Sequence, residues 1–219
     1  ETMNKGPMIY HSLKDHVYNY IASQIQDGTL LPNDKINEAS ICSQLNVSRT
    51  PVREALIKLA SDNLLEYRPR RGFTVKEIDT PKKLEVFEIV GALDGLAASL
   101  SIDHLTEDDF TKMDELIKKI DVSIALENYQ DYQKYQTYFH RVYLNRCGNV
   151  TLKEQLISLQ DGFIRQTYFS DDNKELYTIL HVMNEHHRHI LKLLKQKNKA
   201  DVQLYLQNVH WKIEYPEMI

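Results

Sequence analysis

From Asn46 to Val75 the chain reads NVSRTPVREALIKLASDNLLEYRPRRGFTV. No other stretch fixes the order of its elements so closely. Val52, Ala55, Leu56, Leu59 and Ala60 recur at helical spacing, so one face of a helix beginning near Ser48 belongs to a core. Ser48 stands at the N-cap position, Pro51 falls in the first turn, and Arg49, Thr50 and Arg53 crowd donors onto the outer, N-terminal end. Upstream, Glu38 to Leu45 (EASICSQL) reads as a short helix with Ala39, Ile41, Cys42 and Leu45 apolar, and Asn46-Val47 turns the chain. Downstream, Leu64 to Arg68 and Phe73 to Lys76 are β-prone runs joined through Pro69-Arg70-Arg71-Gly72. The pattern predicts a winged helix-turn-helix.

That arrangement has a chemistry. A helix that meets duplex DNA by its N-terminal end carries guanidinium groups to base edges, and its dipole attracts phosphate. Arg49 and Arg53 are candidates for bidentate contacts to guanine, worth ~1–3 kcal/mol of discrimination each. Arg70 and Arg71 at the wing tip can follow phosphate or enter a minor groove, and Gly72 lets the backbone come close. Arg49 to Lys76 holds seven basic residues against three acidic ones, although the whole chain carries a net charge of -4. Residues 1–78 hold ten basic and nine acidic groups, and residues 79–219 seventeen and twenty-two. A basic patch therefore sits on a neutral module attached to an acidic one.

At 219 residues the chain has room for two domains, expected at 1–78 and 79–219. Helix-period pattern places a first helix from about Ser12 to Asp27, stopped by Gly28, with Val17, Tyr18, Ile21 and Ile25 inward. The opening ETMNKGPMIY stands outside the fold reading, as a tag remnant or unstructured start. Asp79-Thr80-Pro81 reads as a linker, with Thr80 able to cap and Pro81 able to open the next helix. Beyond it only helical stretches follow, near 81–102, 106–126, 128–146, 150–170, 173–196 and 199–213. The fold class is thus mainly α, with an all-helical antiparallel bundle after the winged module. Cys42 and Cys147 lack CxxC spacing and read as reduced core residues of a cytoplasmic protein. No apolar run approaches a membrane span, so membrane partners are not expected.

Seven of the nine histidines fall after residue 103. His140, the pair His186-His187 and His210 lie on three different late helices, and imidazoles from three helices can converge on one divalent ion.

The stretch Ile36 to Val75 closely resembles the DNA-binding domain of GntR-family bacterial transcription regulators. The resemblance implies that Arg49, Thr50, Arg53, Arg71 and Gly72 contact double-stranded operator DNA. Ala39 departs from it, standing where many members carry a basic residue. EIVGALDGLAASL at 88–100, FHRVYLNRCGNVTL at 139–152 and EHHRHILKLL at 185–194 resemble the FCD domain, an all-helical effector-binding module. Many such domains bind a metal through one aspartate and three histidines. Carried over, His140, His187 in preference to His186, and His210 become the metal ligands. His210 comes about one residue late relative to His187, and a short insertion near Lys197-Asn198-Lys199 accounts for it.

Two further departures bear on the ligand. Gln136 replaces the aspartate four residues before His140, leaving a neutral imidazole site with an amide oxygen as fourth ligand, better suited to zinc or nickel than to magnesium or calcium. Val90 replaces an arginine able to grip a carboxylate effector.

The expected function is a ligand-responsive transcriptional regulator, a repressor on the strength of the resemblance, that binds palindromic operator DNA as a homodimer. Its effector is a small molecule, a metal-held carboxylate being the natural choice. The chain is not expected to be an enzyme. The alternative, a metal-dependent hydrolase with an accessory winged module, has only Glu185 as an evident general base and no nucleophile or phosphate loop. A winged module serving protein contacts alone is opposed by the wing arginines.

Overall fold

The computed structural model describes residues 12–26, 28–77, 80–163 and 173–214. The opening ETMNKGPMIY, Asp27, Asp79 of the expected linker and positions 164–170 of the expected fourth bundle helix lie outside the described residues. The chain divides into two compact units, 1–77 and 78–219.

In the first unit, α1 (Leu13–Gln26), α2 (Glu38–Leu45) and α3 (Arg49–Ser61) precede a hairpin of β1 (Leu65–Arg68) and β2 (Gly72–Val75). Val17, Ile21 and Ile25 of α1, Ile41 of α2, and Val52, Ala55, Leu56 and Leu59 of α3 form one core. Tyr18 and Ala60, expected on these buried faces, pack against it while half exposed. Asn37 caps α2 by accepting from the Ser40 amide (3.1 Å), and Asn46 ends it with a left-handed φ of 52°. Asn tolerates that conformation better than most residues, which lets a tight turn join α2 to α3. Ser48 has the extended backbone of an N-cap, yet its hydroxyl makes no capping bond.

β1 and β2 pair antiparallel, Leu65 opposite Val75 and Arg68 opposite Gly72. The segment 33–36 adds a third edge through Asn33 N–H to Val75 O (2.9 Å) and Ile36 N–H to Phe73 O (2.9 Å), after a turn at Pro32-Asn33; the segment is too short to show strand alternation. Arg70 (φ 67°) and Gly72 (φ 80°) both take left-handed backbone at the wing tip. Glycine does so freely, and an arginine held there carries a modest strain.

The second unit contains α4 (Thr80–Ser101), α5 (Glu107–Ala125), α6 (Tyr129–Leu144), α7 (Val150–Phe163), α8 (Asn173–Lys195) and α9 (Lys199–Tyr205). α9 runs on into a π-turn at Leu206–His210. Thr106 and Asp109 close a reciprocal capping box on α5, and the Asp109 carboxylate also accepts two bonds from Arg146 (2.9 and 3.1 Å). Asn128 and Asn198 cap α6 and α9. The central core joins Val86, Phe87 and Val90 of α4 to Met113, Phe139, Tyr143, Ile190, Leu194 and Leu206. Gly91 and Gly95 face the last helical segment. A Cβ at Gly95 would stand 2.7 Å from the Gln203 carbonyl oxygen, so α4 and α9 approach as closely as backbones allow.

Candidate functional sites: an exposed arginine face and a buried three-imidazole cluster

α3 turns Arg49, Thr50 and Arg53 outward because its apolar positions are consumed by the core. All three are exposed, as are Arg70 and Arg71 on the wing, and Gly72 is half-buried. Arg53 Nε lies 3.3 Å from Glu38 Oε2, an exposed ion pair that steadies the guanidinium and leaves Nη1 and Nη2 free of it. At the base of the wing Arg68 donates to Asn33 Oδ1 (3.0 Å) and pairs with Glu66 (2.5 Å), so it braces the hairpin.

In the helical unit, His140 of α6, His187 of α8 and His210 of the π-turn are all buried, and one nitrogen from each lies within 4.8 Å of the others. The ring centroids are 4.9, 5.1 and 5.3 Å apart. Rings bound at ~2.1 Å to one tetrahedral ion would place their centroids about 5 Å apart. His140 and His210 approach through their Nε2 atoms (3.1 Å). His187 Nε2 and His210 Nδ1 are buried with no hydrogen-bond partner. Burial holds both imidazoles well below their usual range, and the neighbouring His140 lowers each further. Neutral imidazoles with unsatisfied buried nitrogens are the donor state that a transition metal requires, so these residues fit such an ion.

His186 is not one of the three, although its ring stands 5.8 Å from those of both His210 and Tyr205. Gln136 lines a cavity of about 20 Å³ beside His187, His210, Met183 and Trp211, room for roughly one water. Its amide nitrogen donates to Thr137 Oγ1 (3.2 Å). Glu185 is exposed and pairs with Arg188 (3.5 Å) and His181 (3.9 Å), which removes the one general base the hydrolytic alternative had. The turn at Lys197-Asn198 leads into the cap of α9, and His210 ends a π-turn closed by Trp211 N–H to Leu206 O (3.0 Å), which takes up one residue more than an α-turn.

Asp94 escaped the sequence reading. It is fully buried on α4, and its Oδ2 accepts from His140 Nδ1 (3.0 Å), Tyr143 OH (2.7 Å) and Trp211 Nε1 (2.7 Å). Burial, reinforced by this carboxylate, pushes the Tyr143 phenol well above its usual range, so it remains a donor. With Nδ1–H shared between Asp94 and the Tyr143 hydroxyl oxygen (2.5 Å), His140 presents a bare Nε2 to the cluster. Asp94 lies on the Nδ1 side of that ring, opposite the Nε2 that faces His210. The signal for it was an acid between Gly91 and Ala97 on a helix face with no other charge.

Residues 13–75 match the family described as bacterial regulatory proteins, gntR family, and residues 85–209 match the FCD domain. An uncharacterized HTH-type transcriptional regulator of Bacillus subtilis, YdhC, is 30% identical over 186 residues, which cover 83% of this chain and 80% of that protein. The transcriptional repressor RspR of Escherichia coli is 25% identical over 74% of this chain and 71% of its own length. The structure of E. coli McbR/YncC superposes with a TM-score of 0.78 at 27% identity, covering 91% of this chain and 94% of that one.

Proposed function

The chain belongs to the gntR family of bacterial regulatory proteins and carries an FCD domain, and on that premise we propose how this ligand-responsive transcriptional regulator uses its residues. Arg49, Thr50 and Arg53 read the major groove of a palindromic operator, and Arg70, Arg71 and Gly72 carry the wing along the backbone. His140, His187 and His210 hold one zinc or nickel ion that would supply a Lewis-acidic anchor for a small effector, a carboxylate being the natural choice. Gln136 stands at the cavity wall as a further oxygen donor. The unsatisfied, buried Nε2 of His187 beside the Nε2 pair of His140 and His210 carries this reading.

Two copies bind one site. Ile89, Leu93, Leu96 and Leu100 fall on one face of α4, and three of them are exposed, at 48, 37 and 39% for Ile89, Leu96 and Leu100. An apolar stripe of that kind suits a symmetric contact with a second copy. The similarity to the repressor RspR supports a repressor. Among the described residues no helix is long and apolar enough to cross a membrane, which agrees with a cytoplasmic regulator.

The test pairs two variants on an operator selected from a random duplex pool. Arg53→Ala is expected to weaken binding at least tenfold while Zn²⁺ binding persists. His140→Ala is expected to abolish stoichiometric Zn²⁺ or Ni²⁺ binding while metal-free operator affinity persists. Wild-type affinity in Arg53→Ala refutes the recognition helix, and unchanged metal content in His140→Ala refutes the metal site.

A further inference from the structure

His140 has a carboxylate behind it; His187 has an amide. Asn184 is fully buried one turn before His187 on α8, and its Oδ1 lies 3.1 Å from His187 Nδ1. The other end of the amide is fixed from α5. Asn184 Nδ2 donates to Asp121 Oδ1 (2.7 Å) and to the Ile117 carbonyl (3.2 Å). Two acceptors on that side leave no place for the amide oxygen, so Oδ1 must face the imidazole, and Nδ1 of His187 must carry the proton. Asp121 is held in turn by Arg188 at the surface (2.5 Å), both side chains being nearly two-fifths exposed.

We infer that Asn184, oriented by Asp121, is a positioning residue that locks His187 in the Nδ1–H tautomer and leaves its Nε2 lone pair facing His140 and His210. This rests on the metal reading above for its purpose, but not for its geometry. The tautomer explains why His187 Nε2 has no hydrogen-bond partner although it is buried: it is an acceptor with no donor nearby. Asp94 backs His140 directly, and Asp121, itself paired with Arg188, holds the amide that backs His187, so both rings are fixed with Nε2 as the free donor atom.

Long-range ¹H–¹⁵N correlation spectra of the metal-free full chain read the tautomer directly. The wild type is expected to show His187 as Nδ1–H, and Asn184→Leu to lose that preference. Zn²⁺ affinity, measured by competition with a chromophoric chelator, is expected to fall 10- to 100-fold in Asn184→Leu. Asp121→Ala, at a half-exposed position that tolerates truncation, is expected to give a smaller fall in the same direction. Operator affinity of the metal-free variants serves as the folding control and is expected to be unchanged. An Nε2–H tautomer in the wild type, or unaltered Zn²⁺ affinity in Asn184→Leu, overturns the inference. Should the wild type bind no Zn²⁺, the metal reading fails while the tautomer measurement still decides the role of Asn184.

Discussion

Truncating Asp94 to alanine tests the heart of the helical unit. One oxygen, Oδ2, terminates three donors, Trp211 Nε1 at 2.7 Å, Tyr143 OH at 2.7 Å and His140 Nδ1 at 3.0 Å. All three side chains are buried, which limits how well water can replace the lost acceptor. A buried donor left without a partner costs ~1–3 kcal/mol. His140 Nδ1–H keeps the Tyr143 hydroxyl (2.5 Å) as an acceptor, so two donors are left and the loss approaches ~4 kcal/mol, of which removing a carboxylate that was itself costly to bury offsets a part. A net destabilisation of about 3 kcal/mol is expected, which moves a urea midpoint by ~1–2 M at slopes typical of small proteins. The chain has one tryptophan, Trp211, so its emission follows unfolding of the helical unit alone. Tyr143→Phe removes one donor and leaves the carboxylate with two, so it is expected to cost only about 1 kcal/mol. The two substitutions are not additive, because both act on the same oxygen. An Asp94→Ala midpoint within experimental error of the wild type, or above it, would refute the hydrogen-bond accounting.

Two further outcomes follow from geometry already described. Gly95→Ala places a methyl group 2.7 Å from the Gln203 backbone oxygen, and neither helix has a flexible atom there to yield. It is expected to cost ~1–3 kcal/mol by the same Trp211 assay. Acid should destabilise the metal-free protein. His187 and His210 are kept neutral by burial, so their folded pKa values lie below the unfolded value near 6.5. Their stabilisation is complete above that pH and is lost as pH falls toward the folded values, at up to about 1.4 kcal/mol per pH unit for each histidine. Urea midpoints that do not fall between pH 7.5 and 5.5 would contradict this.

The winged module was legible because its signals are local. Ser48, Pro51, the 3.6-residue apolar period and Gly72 each act within a few residues, and α2 came out at the very residues its pattern marked. The edge formed by 33–36 was not legible, since it is specified only by the neighbour it pairs with. In the helical unit, histidine is rare enough that three on separate helices draw notice. Asp94 and Asn184 are not: their meaning depends on partners 46 and 67 residues away in sequence, His140 and Ile117. The lone acid on an otherwise uncharged face of α4 was the one mark Asp94 left, and it named no partner. The π-turn leaves no mark in composition.

That turn has a consequence for how this molecule can change. An ordinary helix ties the direction of every side chain to its position along the axis, each added residue swinging the next by about 100°. The wide turn at Leu206–His210 breaks that tie. Upstream of it, α9 is phased to lie against Gly95; downstream, His210 and Trp211 are phased to meet His140 and Asp94. The two requirements therefore need not agree on a common pitch, and the contact that docks the last helix can drift under mutation without dragging the imidazole off its target.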